Sequence, residues 1–178
     1  MPTPTILSGD RLTIYLNDHL AGAAFGRELA LRMLSANAPT EFAPFLRELA
    51  VEVKQDRKAA EALRERLGVP RDRLKATGGW LAEKAGRFKL NDSLHGYSPL
   101  SRLLEVEALM SGVQAKLSLW RSLRELAAVD VRLEEAELDR LIARAESQLE
   151  RLASAHSSAA RLALVDSRIG GLTSPRRS

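Results

Sequence analysis

Four long runs of this 178-residue chain place apolar residues at alternating steps of three and four, the spacing that gathers side chains on one face of an α-helix. The first stripe is Leu12, Leu16, His19, Ala23, Gly26, Ala30 and Met33, which predicts a helix from about Gly9 to Ala36, broken by Asn37 to Pro39. The second is Phe42, Leu46, Leu49, Val53, Asp56, Ala60, Leu63 and Leu67, with Thr40 as N-cap and Gly68 as stop. Only Asp56 in it is polar. The third opens on Ser98 as N-cap with Pro99 at the first helical position, carries Leu103, Val106, Met110, Val113, Leu117 and Trp120, and ends near Ala127. The fourth runs from about Asp130 to Val165 on Leu138, Leu141, Ala145, Gln148, Leu152, Ala155, Ala159 and Leu162. A helix with one apolar stripe must hide it against others, so four such stripes predict an all-α four-helix bundle.

Composition supports this and closes off several chemistries. Aromatic residues make up 4% of the chain while 45% is hydrophobic, so the apolar content is mostly Ala and Leu, which favour helix over strand. There is no Cys, which excludes disulfides, thiolate metal sites and cysteine nucleophiles. No apolar run approaches the roughly 20 residues that span a bilayer, so no membrane association is expected. The opening MPTPTILSGDRL lacks a basic and then apolar leader pattern, and the cytoplasm is the expected location. Of the 27 basic residues six are lysine and 21 arginine, and the net charge of +4 permits a polyanion partner without requiring one. Residues 1–170 read as one domain, and residues 171–178 as a flexible basic tail.

The first two stripes and the last two are each joined by a short turn, so each pair forms an antiparallel hairpin of helices about 42 Å long. The connection from Val69 to Tyr97 is different. Pro70 opens a shorter helix to about Gly86, with Trp80 and Leu81 inward, and KLNDSLHGYS then reads as loop. Such a segment is long enough to cross the whole bundle, which predicts parallel second and third helices.

Two hairpins, a long crossover and polar residues set within the inward stripes resemble the ferritin-like superfamily. The run KLNDSL followed by SPLSRLLEVEALMSG is similar to one in small bacterial ferritin-like bundles of unassigned function. The resemblance implies a ferritin-like fold with an extra short helix in the crossover, and no activity. Its di-iron members use Glu-x-x-His pairs, and this chain departs from them. The residues three after Glu48, Glu52 and Asp56 are Val51, Gln55 and Ala59, those after Glu146 and Glu150 are Leu149 and Ala153, and His156 has Ala153 three before it. The di-iron ligands do not carry over.

Turning the hairpins about Ala38 and Val129, with parallel central helices, brings one polar layer together: His19, Asp56, Gln114 or Lys116, and Gln148. Two readings stand side by side. His19 and Asp56, completed by Glu52 or Glu107, would make a mixed nitrogen and oxygen set for a divalent metal. Alternatively the layer is a hydrogen-bonded packing device, since a buried carboxylate must be paired. Glu48, Glu52 and Asp56 form a carboxylate row that calls for neutralisation by a cation or by Arg47, Arg27 and Lys116. Glu105 and Glu107 face different sides of their helix, with Glu107 expected nearer the core. No residue is assigned a catalytic role, because nothing supplies a nucleophile with an oxyanion hole.

Three other features call for weighing. Arg71, Arg73, Lys75, Lys84, Arg87 and Lys89 make the connection basic against three acids, a candidate surface for nucleic acid or another polyanion, though without a helix-turn-helix or stacking platform. Gly22, Ala23, Gly26 and Ala30 give the first helix a strip of small residues that admits close approach of a neighbouring helix or forms a groove for a partner or apolar ligand. Leu119 and Ile142 flank their stripes and are candidates for a homodimer or partner face. The leading expectation is a non-catalytic structural or partner-binding bundle without a cofactor; the alternatives are a metal-binding bundle and a polyanion binder.

Overall fold

The structure, a computed structural model, describes residues 9–71 and 97–165. These form four helices, α1 (Gly9–Ala36), α2 (Ala43–Arg66), α3 (Pro99–Leu126) and α4 (Glu135–Leu164), and no strand. Each matches one sequence stripe. The helix ends follow local chemistry. Ser98 caps α3 by accepting from the Ser101 N–H at 3.1 Å, with Pro99 at the first turn. Gly68 closes α2 at a φ of 70°, where a side chain would be strained. Two helices begin later than their stripes suggest. The Thr40 hydroxyl and carbonyl take the N–H groups of Phe42 and Ala43 at 3.3 and 3.1 Å, which spends Thr40 on a turn ahead of α2. Asp130 likewise accepts from the Arg132 N–H at 3.0 Å, and its carbonyl from that of Leu133, so α4 starts at Glu135.

Side-chain pairings fix the direction of every helix. Tyr15 donates to Ser122 at 3.0 Å and Arg32 pairs with Glu105, so numbers rise on α1 as they fall on α3. Arg66 meets Glu137 at 2.6 Å and Arg151 meets Glu52 at 2.5 Å, which makes α2 and α4 antiparallel. Arg124 with Asp139 and Glu107 with His156 do the same for α3 and α4. With α1 and α2 in a hairpin, α2 and α3 therefore run parallel. Asn17 reaches the Pro70 carbonyl at 3.1 Å near one end of α1, and Asn37 reaches Tyr97 at 2.7 Å beyond the other, so the chain between residues 71 and 97 joins opposite ends of the bundle. The expected short helix, Trp80 and Leu81 lie outside the described residues, as does the 171–178 tail.

The core is one continuous cluster through all four helices, with Leu16, Met33, Leu46, Leu49, Leu63, Trp120, Leu123, Leu138 and Leu152 among its most enclosed members. Two expectations for α3 are corrected by it. Glu105, not Glu107, is fully buried, and Leu119 is 2% exposed, so Leu119 belongs to the core and to no dimer face. Ile142 packs half-buried against the same cluster. The physical reason is that α3 packs on both α1 and α4, so its buried arc is wider than a single stripe. Among the described residues no helix is long and apolar enough to cross a membrane.

Candidate functional site

The middle of the bundle holds two adjacent features, a compensated charge network and an apolar cavity, and both follow from the stripes. Asp56 occupies an inward position of α2 between Val53 and Ala60 and is 2% exposed. Three groups answer it. Lys116 of α3 donates Nζ to Oδ2, Arg144 of α4 donates Nε to Oδ1 at 2.7 Å, and Gln148 of α4 donates Nε2 to Oδ2 at 3.0 Å. Gln148 is itself fully used: its other N–H meets Glu52 at 3.0 Å, and its carbonyl accepts from Lys116 at 2.5 Å. Arg151 then closes the row, pairing with Glu52 at 2.5 Å and lying 3.6 Å from Glu48. The self-repulsive row on α2 is thus neutralised chiefly from α4, by Arg144 and Arg151. Burial lowers the Lys116 pKa from its ordinary value, and the neighbouring Asp56 only partly restores it.

The predicted polar layer is assembled only in part. Asp56, Lys116 and Gln148 meet. Gln114 lies exposed, because two residues along a helix turn a side chain about 200°, and it is Lys116 that faces inward. His19 reaches the same region but makes no hydrogen bond to Asp56. It is half-buried, edge-on to Tyr15 with ring centroids 4.6 Å apart, and its pKa is lowered by burial against the opposing pull of Asp18. Burial thus favours the neutral imidazole.

The four candidate metal ligands are not brought to one point. Glu52 and Asp56 share Gln148, His19 faces a cavity, and Glu107 sits at the surface 3.2 Å from His156. Among the described residues no three His or acidic side chains are grouped as a metal would need. Of the basic connection only Arg71 is described, exposed and 3.5 Å from Glu61; Arg73, Lys75, Lys84, Arg87 and Lys89 lie outside the described residues.

The cavity, about 290 Å³, is a groove open to solvent between α1, α2 and α3, lined also by Asp56 and Lys116, and its residues Asp18, Gly22, Ser111, Gly112 and Ala115 are exposed. Its sides are the small residues Gly22, Ala23 and Gly26 of α1 and Ala108, Gly112 and Ala115 of α3. Of the small-residue strip on α1, Ala30 is fully buried against its neighbours, whereas Gly22 is exposed and a Cβ placed at Gly22 or Gly26, or at Gly112 of α3, would meet nothing within 4 Å. Trp120, fully buried, also borders it, and among the described residues its indole N–H has no hydrogen-bond partner.

Comparison with known proteins adds nothing to this geometry. The chain matches no family model, no curated protein and no solved structure.

A second buried network escaped the sequence reading. Glu105 pairs with Arg32 and accepts from the Tyr97 hydroxyl at 3.0 Å, Asn37 donates to that hydroxyl at 2.7 Å, and Arg102 donates to Asn37 while stacking 4.8 Å from the Phe42 ring. Burial raises the Tyr97 pKa, holding the phenol as a donor. It ties the start of α3 to the α1–α2 turn. Asn37 carried the one legible signal, as a polar residue closing a helix before a turn, but its partners are distant in sequence.

Proposed function

We propose that this protein is a non-catalytic helical bundle of ferritin-like layout that works by binding a partner molecule. The observation that carries the reading is the condition of Asp56. A general base needs a lone pair and access to a substrate proton, whereas both Asp56 oxygens already accept from Lys116, Arg144 and Gln148. Lys116, the lysine that borders the cavity among the described residues, is committed to Asp56 and Gln148. These groups hold three helices in register, and the open volume next to them is what remains for function. The shared direction of α2 and α3 supports the ferritin-like layout. A cytoplasmic setting fits the lack of a membrane-crossing helix among the described residues, and sedimentation of the purified chain measures whether a homodimer forms.

The test is turnover on a panel of ester, phosphoester and peroxide substrates, with His19→Ala and Asp56→Asn alongside. No turnover above background is expected from any of the three. Activity present in the parent chain and lost in a folded His19→Ala or Asp56→Asn variant would overturn the reading.

A further inference from the structure

We draw no further inference here: the strongest candidate, the solvent-open groove between α1, α2 and α3 at Gly22, Gly26 and Gly112, is an unpartnered strip of small residues, and nothing in the structure shows what covers it.

Discussion

Removing the Asp56 carboxylate strands a buried ammonium, whereas removing Lys116 leaves Asp56 with Arg144 and Gln148. The two halves of one ion pair are therefore unequal. Asp56→Ala should cost about 3–5 kcal/mol, and Lys116→Met about 1 kcal/mol or less, because breaking a buried pair costs most when it leaves a charge alone. Urea unfolding with matched slopes checks both; equal losses would count against the asymmetry. His19 gives the pH dependence. Its folded pKa lies below the ordinary value of 6.5, so in acid the unfolded chain takes up a proton that the folded chain resists. The contribution of His19 is complete above pH 6.5 and is lost as the pH falls through the lower folded value. Thermal unfolding at about pH 5 and about pH 7.5 should show this decline, and His19→Phe should reduce it.

Within the helices, glycine means different things at different positions. Gly22→Ala, Gly26→Ala and Gly112→Ala should each stabilise the fold by about 0.5–1 kcal/mol, since a methyl fits and helix propensity improves. Gly68→Ala should do the reverse by about 1 kcal/mol, since φ is positive there. A set of melting curves separates the two classes, and a loss at Gly26 or Gly112 would show that the space is less open than the geometry says. The α3 start offers a further check, where Ser98→Ala should cost about 1 kcal/mol through its lost cap. These devices are written locally. Stripe, N-cap and positive-φ glycine depend on residues a few places apart, so all four helices were legible, with errors of a few residues where Thr40 and Asp130 turned to local hydrogen bonds.

At the scale of the molecule the decisive question is which helices touch. The parallel run of α2 and α3 places Tyr15 beside Ser122, whereas a simple up-down bundle would set α1 and α3 on a diagonal. The chain has no Cys, so Tyr15→Cys with Ser122→Cys gives a clean pair for a short bismaleimide. Rapid intramolecular crosslinking is expected for this pair and not for Tyr15→Cys with Glu150→Cys; the reverse pattern would refute the packing order described above.

The sequence by itself determined the helices, their hairpin pairing and the level at which Asp56, Lys116 and Gln148 meet, because each depends on rise per residue and turn position, which are properties of the chain. Only the tertiary structure decided which flank of each helix is buried. It turned Glu105 inward and Glu107 outward, moved Leu119 into the core, brought Arg144 to Asp56, and left the glycines of α1 facing a gap instead of a neighbour. The reason is that a stripe marks one face, while a helix packed on two neighbours buries two, and the angle between those contacts is set by the other helices. A cavity is a property of no single helix at all, since it exists only where three surfaces fail to meet.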